Sequence, residues 1–300
     1  MSGDSRFAEA LEELNRVTGL KLSVESEDEE AAEKLQMLAA AYRDRFDKNG
    51  FIRKLMSGGV EEAELYSSAA RFHIADRQRR IVYVVELDER HGEDAARVMK
   101  SLFVTKTGDL FAELGERRLA LIKTVQPKDT ADTADNLAHT IVDMLNTEVM
   151  IPAHVGYGAV SESLSTIPQA CREAMLALEI GRVFDLSETV YRYDRLGVGR
   201  LVHDLPRESA ELFLKEVFGS RTPKDLDAET VEIVNAFFDN NLNLSETARQ
   251  LYIHRNTLVY RLEKLNALIG LDLRNFDDAL RLKLAMMIAD SLKAKNDRGI

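Results

Sequence analysis

Apolar positions repeat along this chain with different periods in different regions, and each period predicts a kind of structure. In residues 1–76 they recur three or four residues apart, which is typical of amphipathic helices. The two apolar stripes are Leu11, Leu14 and Val17, then Leu35, Leu38, Tyr42 and Phe46. Gly19 predicts the end of the first helix, and the acidic run 25–30 predicts a solvated turn before the second. We therefore predict a helical N-terminal region at 1–76 that senses or dimerises.

Between 78 and 193 the pattern alternates between strand-like and helix-like segments. The β-branched run 80–87 predicts a strand, and Gly115-Glu116-Arg117 between two apolar segments predicts a hairpin. The other predicted elements are helices near 93–103, 131–148 and 167–182, a strand at 154–160 and the short strand TVYRY. The order β-α-β-β-α-β-α-β predicts a mixed sheet with helices packed against it, in a ferredoxin-like or palm-like α+β domain at 77–193.

From about 225 onward the pattern is helical throughout. Residues 194–223 are predicted to be a connector, because glycines and prolines surround a single helical segment. Asn243 and Glu246 have the spacing of a capping box at the start of a short helix. A following helix begins near His254 or Arg255 and buries an apolar face: Leu258, Leu262, Leu265 and Ile269. Two helices joined by so short a turn predict a helix-turn-helix unit within an all-α domain at 224–300.

Charge changes this picture, because the helix pair is basic in a chain of net charge −11. Within 249–264 four basic residues face only Glu263, which gives a local charge of +3. Arginine and asparagine match the edges of guanine and adenine, threonine suits phosphate, and free amides at a helix start also hold phosphate. The predicted DNA contacts are Arg249, His254, Arg255, Asn256, Thr257, Tyr260, Arg261 and Lys264. The alternative is a helical hairpin whose charged face is merely solvated.

One residue of the turn departs from the usual pattern. Tyr252 stands where such turns often have glycine, and a non-glycine residue at positive φ costs about 1–2 kcal/mol. This leaves open whether the turn has the usual shape.

Composition narrows the class of protein. A chain of 300 residues that is 45% hydrophobic can form two or three domains with cores, and it has no apolar run long enough to span a bilayer. The N-terminus lacks the features of a signal peptide, and the single cysteine, Cys171, suits a reducing cytoplasm. The six histidines are scattered, so we predict no metal site. We also predict no cofactor and no membrane partner.

The stretch LSETARQLYIHRNTLVYRLEKLNALIGLDLRNFDDALRLKLAMMI resembles the C-terminal helix-turn-helix of the PucR/CdaR family of bacterial transcription regulators. The resemblance covers roughly 226–292, and it places Arg255, Asn256, Thr257, Tyr260 and Arg261 on the recognition helix. It implies a one-component regulator that binds a double-stranded DNA operator, responds to an unidentified small-molecule effector, and acts as a homodimer or higher homo-oligomer.

The middle domain resembles the degenerate GGDEF-like domain of the same family, which raises the alternative of a diguanylate cyclase. At the corresponding hairpin this chain has Leu114-Gly115-Glu116-Arg117-Arg118, so one glycine is lost and arginine replaces an acid. Asp88 and Glu116 are the candidate remnants of a metal pair. We predict no enzyme and no catalytic residue. The alternative is a nucleotide-binding or residual cyclase-like domain with an appended interaction module; an architectural DNA binder is a third possibility.

Overall fold

The computed structural model describes residues 3–18, 21, 33–39, 47–88, 93–106, 108–184 and 188–297. The predictions for Gly19, the acidic run 25–30, Tyr42 and Phe46 lie outside these residues, as does the side chain of Val17. The chain divides into two compact units, Met1–Met175 and Leu176–Ile300.

The first unit begins with helices, as predicted. They are α1 (Gly3–Thr18), a helical segment at 33–39, α2 (Lys48–Ser57) and α3 (Glu62–Arg71). Leu14 and Leu35 are buried in one small apolar cluster, whereas Leu38 of the second predicted stripe is 58% exposed. Helix α2 was not predicted; it ends at Gly58, whose φ of 76° is the left-handed conformation that glycine adopts without strain.

The predicted order of strands and helices is confirmed. The elements are β1 (Arg80–Leu87), α4 (Glu93–Phe103), β2 (Leu110–Gly115), β3 (Arg118–Thr124), α5 (Ala131–Met144), β4 (Ala153–Tyr157), α6 (Ile167–Phe184) and β5 (Val190–Arg192). In the first unit the strands lie in the order β2-β3-β1-β4, and each neighbouring pair is antiparallel. Strand β1 is buried at nearly every position, which explains its continuous apolar run. The predicted multidomain α+β fold class is confirmed.

The hairpin between β2 and β3 differs slightly from its prediction. Glu116 and Arg117 alone form the turn, and Gly115 is the last residue of β2. Gly115 has a φ of 151°, and the pairing register shifts between Glu113 and Gly115. Glycine therefore serves the irregular strand end here, and not the turn itself.

The buried carboxylate of Asp109, just before β2, accepts hydrogen bonds from β3 and from the loop after α4. The side chain of Asp109 accepts hydrogen bonds from Lys123 Nζ at 2.7 Å and from the amides of Thr105, Lys106 and Thr124 at 2.8–3.1 Å. Burial alone would raise the pKa of Asp109, but the bonds from Lys123, Thr124 and Lys106 outweigh burial and lower it.

The second unit is helical after β5. Its helices are α7 (Val198–His203), α8 (Arg207–Phe218), α9 (Ala228–Asp239), α10 (Leu244–Gln250), α11 (Arg255–Ile269) and α12 (Phe276–Asp297). Single turns of 3-10 or π helix occur at Leu145–Val149, Leu164–Thr166, Tyr193–Arg195 and Pro223–Asp225. Val202 of α7 and Ala210 of α8 pack with Ile288 of α12, so the predicted connector consists of packed helices. The domain boundaries at 76, 193 and 223 stay predictions.

Candidate nucleic-acid interface

Helix α10 begins at a side-chain cap. The Oδ1 of Asn243 accepts hydrogen bonds from the amides of Ser245 and Glu246 at 3.0 and 3.2 Å. Thr247 is fully buried, and its hydroxyl donates to the carbonyl of Asn243 at 2.8 Å. The Glu246 carboxylate pairs with Arg249 one turn later. The cap fixes where α10 starts and therefore how it lies on its neighbours.

The turn after α10 has the left-handed shape that glycine usually supplies. Tyr252 has a φ of 53°, and its amide donates to the carbonyl of Arg249 at 3.2 Å. The amide of Ile253 donates to the carbonyl of Ala248 at 3.0 Å. The side chain of Tyr252 is 96% exposed, so the ring gives the strained residue no packing in return.

Helix α11 has a buried face and an exposed face at its N-terminal half. Leu258, Leu262 and Leu265 are buried in the core of the helix-turn-helix, and Ile269 packs partly buried against it. The opposite side presents Arg255, Asn256, Thr257 and Tyr260 to solvent. None of these four side chains makes a hydrogen bond or ion pair with any residue that the structure describes. They are therefore available to an external partner.

The first turn of α11 differs from the prediction in one respect. The Nδ1 of His254 accepts from the amide of Asn256 at 3.2 Å, and the His254 carbonyl accepts from Thr257 at 2.9 Å and Leu258 at 3.2 Å. The expectation of free amides at this helix start was wrong for these three, because the capping residue already satisfies them. A contact of His254 with DNA stays a prediction.

The basic side chains are not equally available. Arg249 pairs with Glu246, and the half-buried Arg261 pairs with Glu229 of α9 at 2.6 Å. Arg255 and Lys264 have no ion pair within the described part of the chain. Sequence analysis missed Glu229, because it lies 32 residues before Arg261 and no local spacing connects them. Of the four predicted basic contacts, the two without an ion pair among the described residues, Arg255 and Lys264, therefore both lie on α11.

Asp88, one of the two candidate remnants of a metal pair, lies beside a histidine at the end of β1. Asp88 Oδ1 lies 3.7 Å from Nδ1 of His154, and the Nε of Arg117 donates to the carbonyl of Leu87 at 2.9 Å. Among the described residues, no three His, Cys, Asp or Glu side chains form a group that could hold a metal ion. The hairpin arginine instead bonds the end of β1.

These features define the class of protein: a GGDEF-like α+β domain followed in the chain by a helix-turn-helix domain. Residues 57–180 match the GGDEF-like domain, and residues 230–288 match the PucR C-terminal helix-turn-helix domain. The chain belongs to the PucR/CdaR family. Across the parts of the chain that the structure covers, no helix has both the length and the apolar character needed to cross a membrane.

Three relatives indicate how far this similarity extends. The chain is 31% identical over 132 residues to the Purine catabolism regulatory protein of Bacillus subtilis (strain 168), covering 44% of this chain and 25% of that protein. It is 26% identical over 230 residues to the Carbohydrate diacid regulator of Escherichia coli (strain K12), covering 73% and 60%. It is 23% identical over 145 residues to the Proline-responsive transcriptional activator PutR of Bacillus subtilis (strain 168), covering 47% and 35%. The chain thus spans a quarter to 60% of the length of these relatives.

Proposed function

We propose that this protein is a one-component transcription regulator that binds a specific DNA operator through α11. The observation that supports this most is the exposed N-terminal half of α11, where Arg255, Asn256 and Tyr260 have no partner among the described residues. The buried leucines on the opposite side hold the helix in place. The names of the three relatives, which describe regulators, support the same function.

In this proposal α11 enters the major groove, which is about 12 Å wide and admits a helix. Arg255 and Asn256 contact base edges, because their forked groups can make two hydrogen bonds to guanine or adenine. Thr257 and Lys264 contact phosphates, which fixes the position of the helix without selecting a sequence. The ring of Tyr260 supplies an apolar contact. Arg249, His254 and Arg261 already have partners in the chain and exchange them for phosphates on binding.

The proposed partners are operator DNA, a further copy of the same chain and a small metabolite, as the resemblance to the family implies. Homodimers or higher homo-oligomers would contact half-sites about 34 Å apart, which is one helical turn of DNA, or a multiple of that distance. An unidentified small metabolite controls binding. Because the proposed operator is part of the chromosomal DNA, the protein acts in the cytoplasm.

The test begins with selection of bound sequences from random double-stranded DNA by the full chain. Affinity is then measured for the selected operator and for a scrambled duplex at several salt concentrations. We expect Arg255→Ala and Asn256→Ala each to lower the ratio of specific to nonspecific affinity by about 1–3 kcal/mol. Thr257→Ala should weaken both duplexes equally, and Lys264→Ala should reduce the slope of log affinity against log salt by about 1.

The matched control is Arg281→Ala, which removes a half-exposed arginine of α12 that lies 3.9 Å from Asp278. It should leave the ratio unchanged. If Arg255→Ala and Asn256→Ala retained full discrimination, the assignment of α11 as the base-contacting helix would be wrong.

A further inference from the structure

The start of α9 presents a carboxylate to one of the predicted DNA contacts of α11. The Oε2 of Glu229, in the first turn of α9, lies 2.6 Å from Nη1 of Arg261. The side chain of Arg261 is 30% exposed, whereas that of Arg249, which pairs with Glu246 on its own helix, is 81% exposed. Ion pairs that share a hydrogen bond at such a distance are among the stronger polar contacts in proteins. Glu229 therefore holds Arg261 before any DNA binds.

The packing of α9 against α11 fixes the position of this pair. Val234 of α9 and Leu262 of α11 are buried in the same apolar core. Leu262 directly follows Arg261 in the chain, and Glu229 lies five residues before Val234. Both charged groups are thus carried by packed helices, so Glu229 stays beside Arg261 when α11 meets DNA.

A second carboxylate at the start of α9 adds negative charge close to α11. The Oδ1 of Asp227, the capping residue of α9, accepts a hydrogen bond from the Thr230 amide at 2.7 Å. The hydrogen bonds with Thr230 lower the pKa of Asp227, and the positive charges of Lys264 and Arg261 lower it further. The charge of Asp227 therefore interacts with those of two predicted DNA contacts.

A phosphate that contacts Arg261 must compete with a group of its own sign. The Glu229 carboxylate takes up a hydrogen bond of the guanidinium that a phosphate oxygen would otherwise accept. If the pair opens on binding, carboxylate and phosphate are left as neighbours that repel each other. If the pair stays closed, Arg261 offers the phosphate little net charge. Either outcome weakens binding on every sequence alike, because the phosphates are the same in all of them.

We propose that Glu229 is an intramolecular competitor of DNA phosphate for Arg261 and thereby limits the overall affinity of α11 for DNA. It selects no sequence itself. It keeps the protein from being held on the many nonspecific sites of a genome, which compete with the operator. The inference rests on the proposed function, in which α11 meets the DNA.

Glu229→Gln in the full chain tests the competitor, because it removes the charge and keeps the size of the side chain. Affinity is measured by fluorescence anisotropy for the selected operator and the scrambled duplex at several salt concentrations. We expect both affinities to rise about 2–10-fold with their ratio unchanged. The fall of log affinity with log salt should become steeper by up to about 0.9, the value of one phosphate contact. The melting temperature should change little, because partly exposed ion pairs contribute little to stability.

A double-mutant cycle assigns the effect to Arg261. Arg261→Gln should lower affinity about 2–10-fold more in the Glu229→Gln chain than in the unaltered chain, because only there is the arginine fully available to phosphate. The matched control is Glu232→Gln, which removes the same charge from an exposed residue of α9 that has no ion pair within the described part of the chain. An equal rise with Glu232→Gln, or equal losses for Arg261→Gln in the two chains, would overturn the proposal.

The competitor and the base contacts can fail separately. Unchanged affinity and salt dependence in Glu229→Gln, with discrimination lost in Arg255→Ala and Asn256→Ala, would reject the competitor and leave the regulator. A rise in Glu229→Gln, with full discrimination retained by Arg255→Ala and Asn256→Ala, would reject α11 as the base-contacting helix and leave the competitor.

Discussion

The polar groups of the β-sheet and those of α11 differ in where they find their partners. Asp109 in the sheet accepts four hydrogen bonds from the chain itself, and Arg118 pairs with Glu86 across neighbouring strands at 2.7 Å. Arg255 and Asn256 on α11 use none of their side-chain donors within the described part of the chain. Polar groups that are satisfied internally support the fold, whereas exposed groups without an internal partner bond water and can exchange that water for an external partner.

The hairpin of the GGDEF-like domain contains another polar side chain that is satisfied within the chain. Arg117 stands at the turn and donates to the carbonyl of Leu87, and the Leu87 amide donates to the carbonyl of Arg117 at 2.9 Å. The arginine therefore joins the turn to the end of β1 by both side chain and backbone. Arg117 carries a positive charge that would repel a metal ion, and in this domain it stabilises the contact between the turn and β1.

The largest effect on stability should come from replacing the buried carboxylate of Asp109. The side chain of Lys123 is only 13% exposed, and Asp109→Asn removes the carboxylate that pairs with it. The new amide group can also direct an N–H donor toward a backbone amide that now donates to Asp109, such as that of Thr124. Removing one partner of a buried pair costs about 3–5 kcal/mol. We expect a loss of that size in the free energy of unfolding of the first unit, measured by urea denaturation.

The matched control is Glu113→Gln in the strand that follows Asp109, because the pair of Glu113 with Lys100 is about half exposed on both sides. Exposed pairs contribute about 0–1 kcal/mol, so a loss as large as that of Asp109→Asn would contradict the distinction.

The lowered pKa of Asp109 also determines how its contribution to folding stability changes with pH. Its contribution is present above the unfolded-state pKa and is lost as the pH falls through the folded-state pKa. The Asn variant should therefore be less sensitive to acid than the unaltered chain.

The second largest effect should come from the leucines beneath α11. Leu262 is 2% exposed, and truncation of such a leucine to alanine costs about 2–5 kcal/mol. Leu262→Ala should destabilise the second unit and weaken operator and scrambled DNA alike, since it loosens the whole helix. Leu268→Ala on the same helix removes a side chain that is 37% exposed and should cost much less. Similar losses for both would show that α11 is not held by its inner face.

Much of this arrangement could be predicted from the sequence because it depends on local periodicity. The run at 80–87 is β1, the segment 93–103 is α4, and the apolar face from Leu258 to Leu265 is buried. Partners distant in sequence could not be predicted in this way. The pairing of Arg261 with Glu229, and of Asp109 with Lys123, requires elements to be packed before the groups meet.

A smaller effect should follow from removing the cap of α10. Asn243→Ala leaves the amides of Ser245 and Glu246 without their acceptor. Loss of such a cap costs about 1 kcal/mol. We expect this reduction in the stability of the second unit by urea denaturation, with Asn243→Ser restoring most of it. If serine behaves as alanine does, the side-chain oxygen is not the source of the stability.

The smallest effect on stability should come from replacing Tyr252. Whether Tyr252→Gly raises or lowers stability shows whether backbone strain or side-chain packing dominates at this position. Replacing it by glycine removes the left-handed cost of about 1–2 kcal/mol but adds about 0.5–1 kcal/mol of backbone entropy to be lost on folding. Tyr252→Gly should therefore stabilise the second unit slightly, seen as a small rise in melting temperature. Tyr252→Ala keeps the strain and removes a ring that is 96% exposed, so it should change stability little. Stability that fell in Tyr252→Gly would show that the turn does not carry this strain.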